Sequence, residues 1–298
     1  MPPIEMKKIL QNMFCPFDPE QAVLTQLVHE EDGEPYQVYR IEADDKVYIL
    51  KQAKEYEAEV YQTLLKDAGN SIPKIYARAE VDDETYLLME HIAGGDLRKC
   101  TRHSLKLALD ALIALQKANW NSSAAAGYTY EESLVQRKKR GMYLNDPLLE
   151  QAYEKFLTYY AVLPRTLCHD DLLPFNVLFA GERAVFIDWE YAGILPYPTS
   201  FARLIAHGEE DENAFFYMTA ADREFAIDYY YENLLAEQGI TCSEWREALR
   251  AFLLYEACEW VMIGNKYGTQ ENPYFQKYLP MAKRLAETML MRTDENTL

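Results

Sequence analysis

Apolar residues follow two different periods along this chain, and the change falls near residue 93. Residues 5–14 carry Met6, Ile9, Leu10 and Met13 at helical spacing, which predicts a short opening helix. From Ala22 to Ile92 the pattern is mostly that of strands. Tyr36–Ala43 and Val47–Lys51 flank an Asp44-Asp45 turn, and Ile72–Val81 and Tyr86–Ile92 flank an acidic turn at Asp82-Asp83-Glu84. One helix, near Glu55–Lys66, separates the two pairs, so the segment reads as an antiparallel sheet with a single helix after its third strand. The glycines of Ala93-Gly94-Gly95 then break the pattern. Helical spacing dominates beyond them, over residues 104–118, 147–161, 221–237 and 243–263, with a last helix expected over Pro280–Met291. The prediction is α+β: a sheet-bearing lobe over residues 1–92, a hinge at 93–95 and a mostly helical lobe over 96–298. No internal repeat or low-complexity linker interrupts it.

Inside the helical part, one stretch breaks the helical pattern and carries the densest chemistry. Cys168-His169-Asp170-Asp171-Leu172-Leu173-Pro174-Phe175-Asn176 reads His-x-Asp-x-x-x-x-Asn. A short strand, a turn at residues 180–183, a second strand and Asp188 follow. Phosphoryl transfer from a nucleotide needs a carboxylate to orient the attacking hydroxyl. It also needs an amide and a second carboxylate to hold magnesium against the phosphates. On this spacing Asp171 is the base, and Asn176 and Asp188 are the metal ligands. The eight-residue pattern arises by accident in roughly one chain of this length in a hundred at average residue frequencies. The hairpin and the later aspartate lower those odds, so a chance turn of polar caps is the weaker reading. Asp188 also ends the buried-looking strand Val185-Phe186-Ile187, where a carboxylate is costly unless something such as a metal neutralises it.

These residues resemble the aminoglycoside phosphotransferase and choline kinase superfamily, the small-molecule relatives of the protein kinases. Members commonly carry His-Gly-Asp or His-Asn-Asp, a proline, an asparagine, then Ile-Asp-Trp or Ile-Asp-Phe. Here the middle residue is Asp170, and the run Asp188-Trp189-Glu190-Tyr191-Ala192-Gly193 is similar to the bacterial choline kinase branch and several antibiotic kinases. The resemblance implies a two-lobed protein-kinase-like fold with the nucleotide held by the first lobe. It implies that Lys51 contacts the α- and β-phosphates and pairs with a glutamate of the following helix. Glu57 and Glu59 are the candidates, and Glu57 shares the inward face of Val60, Tyr61 and Leu64. It implies that His169 braces the catalytic loop rather than acting as a base. Two departures stand out. The loop expected to cover the phosphates, His29–Tyr36, holds only Gly33 and has three acids before it. Ser200 stands where relatives place an aspartate that supports the catalytic loop, so that contact is missing or made differently.

Composition narrows the partners. A formal net charge of −18 and a sequence pI near 4.7 argue against nucleic acid as a partner and favour cations, although solubility alone explains such a charge equally well. The acceptor is therefore expected to be aminated, with Glu190, Glu256, Glu259 and Trp260 as candidate binding residues and Glu209-Glu210-Asp211-Glu212 as a further acidic turn. The five cysteines are scattered and form no Cys-x-x-Cys pair, which fits a reducing cytoplasm. No segment reaches the length of a membrane span. The expected activity is transfer of a phosphoryl group from ATP or GTP, with Mg2+, to a small-molecule hydroxyl. A choline or ethanolamine kinase is the alternative, and a kinase-like nucleotide binder without turnover is the rival of another class. A protein kinase is disfavoured because no Ala-Pro-Glu signature follows Asp188.

Overall fold

The structure is a computed structural model that describes residues 3–28, 33–54 and 56–295. A helix α1 (Pro3–Gln11) precedes strands β1 (Val23–Val28), β2 (Pro35–Ala43), β3 (Lys46–Gln52), β4 (Ile75–Val81) and β5 (Glu84–Glu90). They form one antiparallel sheet in the order β1-β2-β3-β5-β4. Both tight turns use aspartate pairs in the left-handed region, Asp44-Asp45 and Asp82-Asp83, which matches the right-handed twist of the flanking strands. The sheet is buried on two sides. Tyr39, Ile41, Tyr48, Leu50, Tyr86 and Leu88 pack under α1 against Met6, Ile9, Leu10 and Met13. Leu87 and Met89 face the other way, into the main core with Val60, Tyr61 and Leu64. That is why Tyr86–Met89 is an unbroken apolar run rather than an alternating one. Lys51 lies directly opposite Leu87, so it shares this inner face.

The helix between β3 and β4 is shorter than expected: α2 covers Glu57–Gln62, against the predicted 55–66. The Thr63 hydroxyl donates to the Glu59 carbonyl as the helix closes, a local side-chain bond that competes with continuation. Residues 91–101 then run without helix or strand against Leu178 and Phe179. Phe179 N–H donates to the Gly95 carbonyl at 3.0 Å, and a Cβ on Gly94 would lie 1.8 Å from the Phe179 carbonyl oxygen.

Helices α3 (Arg102–Ala118), α4 (Tyr130–Gly141) and α5 (Pro147–Val162) follow. Helix α4 was not anticipated, because its sequence is almost wholly polar, yet Thr129 and Glu132 form a capping box at its start. Strand β6 (Arg165–Cys168) pairs with β9 (Gly193–Pro196), and between them β7 (Val177–Ala180) and β8 (Arg183–Phe186) make the expected hairpin. The rest is helical: α6 (Pro198–Ala206), α7 (Ala220–Tyr230), α8 (Cys242–Tyr267) and α9 (Pro273–Glu295). Helix α7 gives way to a wide turn over Tyr231–Leu235 instead of continuing to Glu237. Helix α9 begins at Pro273 rather than Pro280, since Pro273 takes the first position, where a missing N–H costs nothing, and Pro280 is tolerated inside.

Candidate active site

The inner face of β3, the loop after β6 and the end of β8 converge. Lys51 Nζ donates to Glu57 Oε1 at 2.8 Å and also to Asp188 Oδ1, 137 positions further along the chain. Burial opposes the charge on Lys51, but the two carboxylates outweigh it and leave its pKa raised. Burial likewise opposes ionised Asp188, and Lys51 outweighs it and lowers that pKa. Glu59, the other candidate, points elsewhere: its carboxylate accepts from the Gly127 N–H at 3.2 Å.

The loop His169–Asn176 is braced at each step. His169 is 1% exposed; its backbone N–H donates to Ser200 Oγ at 2.8 Å, and its ring centroid lies 4.5 Å from that of Trp189 with the planes tilted by 44°. The place of the supporting aspartate is thus taken by a serine that makes the contact differently. Burial holds His169 down at a pKa of about 4, so the neutral ring must carry its proton on Nε2, which donates to the Ile187 carbonyl at 2.7 Å. That bond ties the loop to the residue before Asp188. Asp170 has φ +59°, a left-handed position that explains why glycine or asparagine commonly stands there in relatives. Its carboxylate accepts from Arg137 Nη2 at 2.5 Å, and Arg137 is clasped between the rings of Tyr160 and Tyr255. Asn176 donates from Nδ2 to the Asp171 carbonyl at 2.8 Å, turning its amide oxygen away from that carbonyl. Asp171 itself meets Arg203 of α6 at 2.8 Å, and burial pushes its pKa up to about 6 although Arg203 pulls it down.

Residues 28–235 of this chain match the profile of the APH phosphotransferase enzyme family. The chain belongs to that family. A stretch of 128 residues is 27% identical to Protein LicA of Haemophilus influenzae (strain ATCC 51907 / DSM 11121 / KW20 / Rd), covering 41% of this chain and 44% of that one. The aligned stretch therefore spans less than half of LicA. The fold matches amicoumacin kinase hAmiN in complex with AMP-PNP, Ca2+ and Ami, with a TM-score of 0.65, 14% identity and coverage of 98% and 93% of the two chains. A choline/ethanolamine kinase family protein from Mesorhizobium loti matches at 0.61, with 18% identity and 96% and 95% coverage. A thermostable mutant of aminoglycoside phosphotransferase APH(4)-Ia, bound to AMP-PNP and hygromycin B, matches at 0.59, with 17% identity and 96% and 98% coverage. The two-lobed protein-kinase-like fold of the family is therefore the fold of this chain.

Within that family frame, two of the four expected acceptor residues, Glu256 and Glu259, need correction. Glu256 and Glu259 do not offer free carboxylates to a cation: both accept from Arg203 Nη1, and Glu259 also pairs with Arg140. Buried carboxylates are seldom left without a counter-charge, and here the protein supplies it. Glu190 is half-buried, with Asp188, Lys54, Lys51 and Glu57 as its electrostatic neighbours, which puts it beside the lysine cluster. Burial and then Asp188 raise its pKa. Trp260 stacks on Tyr274 at 4.3 Å and on Tyr278 at 6.2 Å. The acidic turn is also engaged: Glu209 pairs with Lys277, Glu210 accepts from the Ala220 N–H, and Asp211 from the Asn213 N–H. From Phe175 of the His169–Asn176 loop a chain of ring contacts runs outward. Phe175 lies 5.9 Å from Phe216, Phe216 lies 6.4 Å from His207, and His207 Nδ1 is 2.7 Å from the Tyr278 hydroxyl. Gly33 is exposed at φ +74°, while residues 29–32 of the expected phosphate-covering loop lie outside the described residues.

Arg137 and Arg203 are the residues that sequence reasoning missed. Arg203 had a signal: it is the lone charge in the apolar run Phe201–Ala206, and an arginine there needs a buried partner.

Proposed function

We propose that this protein transfers the γ-phosphate of ATP or GTP, with Mg2+, to a hydroxyl of an aminated small molecule. The observation that carries this reading is Lys51, reaching both Glu57 and Asp188 across the site. A lysine fixed on a strand sets one positive charge where phosphates would lie, with little freedom left to lose. Residues 1–92 act as the nucleotide lobe and residues 96–298 as the catalytic and acceptor lobe, joined at 93–95. Asn176 and Asp188 fit a magnesium ion: each has a hard oxygen to spare, and magnesium takes one or two carboxylates together with phosphates. Bound there, the ion would neutralise charge on the β- and γ-phosphates. Asp171 would orient the acceptor hydroxyl, which a loose transition state needs more than it needs a strong base. His169, Ser200 and Arg137 hold the loop that presents it.

An ammonium acceptor draws support from the net charge of −18 and from the chain of ring contacts. With Glu256 and Glu259 held by Arg203, the surfaces left for such a group are rings such as Trp260 and Tyr274. Those suit a small quaternary ammonium through cation–π contact of about 0.5–2 kcal/mol. That favours choline, the quaternary member of the choline-or-ethanolamine alternative, as the second reading, beside an aminoglycoside-like acceptor. A screen of MgATP and MgGTP against amino sugars, choline, ethanolamine, amino acids and nucleosides tests both. Phosphorylation of an amine-bearing acceptor is the expected result. A best acceptor that is neutral or anionic overturns the cationic reading, and nucleotide binding with no acceptor turned over favours the kinase-like binder.

A further inference from the structure

We infer that Arg203 is a positioning residue for phosphoryl transfer: it fixes the Asp171 carboxylate against helix α8 so that one oxygen is left to face the acceptor hydroxyl. The inference rests on the reading of Asp171 given above. Two donors of one guanidinium, Nη2 at 2.8 Å and Nε at 3.1 Å, both reach the same atom, Asp171 Oδ1. Oδ2 is thereby left for the substrate. The other arm of the guanidinium faces the opposite way, where Nη1 donates to Glu256 Oε2 at 2.8 Å and to Glu259 Oε2. Those two carboxylates lie on a helix 53 and 56 residues further along the chain, so the arginine links the catalytic loop to a distant rigid element.

The anchor is itself anchored. Glu259 accepts from Arg140 Nη1 and from the Tyr255 hydroxyl at 3.1 Å, and His207 Nε2 stands 3.5 Å from Glu256. The side chains of Arg203, Glu256 and Glu259 are 17%, 5% and 14% exposed, so water competes little for these bonds. A planar fork with donors on two sides can bridge three carboxylates at once, whereas a lysine offers one point charge. Such an arrangement sets the direction of the carboxylate, and direction is what this reaction asks of it. Displacing a reacting group by about 1 Å costs about 10²-fold in rate.

The test compares Arg203→Lys, Arg203→Ala and Glu256→Gln with wild type and with Asp171→Asn. Turnover of MgATP is read as ADP release with choline and with hygromycin B as acceptors, and as phosphate release to water without either. Nucleotide affinity is measured by calorimetry on the same preparations. Arg203→Lys should lower kcat by about 10–10²-fold with nucleotide Kd unchanged within about twofold. In Arg203→Ala, millimolar guanidinium should restore part of the lost turnover, and it should restore none in Asp171→Asn. Glu256→Gln, which loosens the anchor without touching Asp171, should lower kcat in the same sense by a smaller factor. Should Arg203→Ala fail to fold, the lysine and Glu256 variants carry the test. Wild-type kcat in Arg203→Lys and Glu256→Gln while Asp171→Asn is impaired would overturn this inference alone. Full turnover in Asp171→Asn would overturn the reading of Asp171 beneath it.

Discussion

Ser200→Ala probes the brace of the His169–Asn176 loop by removing a single oxygen. Ser200 is fully buried on α6, and its Oγ accepts the N–H of His169, itself 1% exposed. Without it the N–H has no water to turn to. A buried donor left unsatisfied costs about 1–3 kcal/mol. Unfolding entropy of about 2.1 cal/mol/K per residue gives about 0.6 kcal/mol/K for 298 residues, so the melting temperature should fall by roughly 2–5 °C. Ser122→Ala is the matched control. It removes a comparable bond at an exposed turn, from Ala124 N–H, and should shift the melting temperature by less than about 1 °C. Differential scanning calorimetry reads both. Catalysis supplies a second readout, because His169 stands two residues before Asp171: kcat should fall in Ser200→Ala while nucleotide affinity holds. If Ser200→Ala melts with the control and turns over like wild type, the brace is not made by this hydroxyl.

Three further outcomes follow from the geometry. Gly94→Ala would place a Cβ 1.8 Å from a backbone oxygen of β7, so the hairpin must shift; lower stability and weaker nucleotide binding should appear together, and a variant equal to wild type in both would contradict the packing. Asp188→Ala should abolish the magnesium dependence of nucleotide binding in calorimetry, and equal magnesium-dependent affinity in both proteins would refute its role as a ligand. Glu259 has its pKa held near 2, below the ordinary 4.5, since Arg203 and Arg140 outweigh its burial. A depressed carboxylate contributes stability that is complete above about pH 4.5 and is lost as pH falls toward 2. Wild type should therefore lose urea resistance between pH 5.5 and 3 more steeply than Glu259→Gln, and parallel slopes would argue against the pair.

Much of the architecture could be read from the sequence because local rules and global fold agree there. The alternating strands, the aspartate turns and the hairpin around Asn176 and Asp188 each follow from period and turn chemistry. Helix α4 escaped because Tyr130–Gly141 buries only Ser133 and Arg137, which leaves no apolar stripe to find; the capping box of Thr129 and Glu132 was its sole signal. Helix α9 was cut short because a proline usually marks a helix start, and Pro273 had the better claim than Pro280. The two carboxylates of α8 were misread for a different reason. Glu256 and Glu259 are six and three positions before Met262 on one helix, but their partner Arg203 lies on another, and no local period reports a contact across 53 residues. A carboxylate on a helix looks alike in sequence whether it awaits a ligand or is already paired.

The central claim is that Asp171 presents the acceptor while Lys51, Asn176 and Asp188 hold the nucleotide. Transfer of labelled γ-phosphate from MgATP to the best acceptor of the screen, by wild type and by Asp171→Asn under single-turnover conditions, tests it most directly. The account predicts a rate lower by about 10²–10⁴-fold in the variant, with the nucleotide bound as tightly as before. Transfer at the wild-type rate by Asp171→Asn would contradict it.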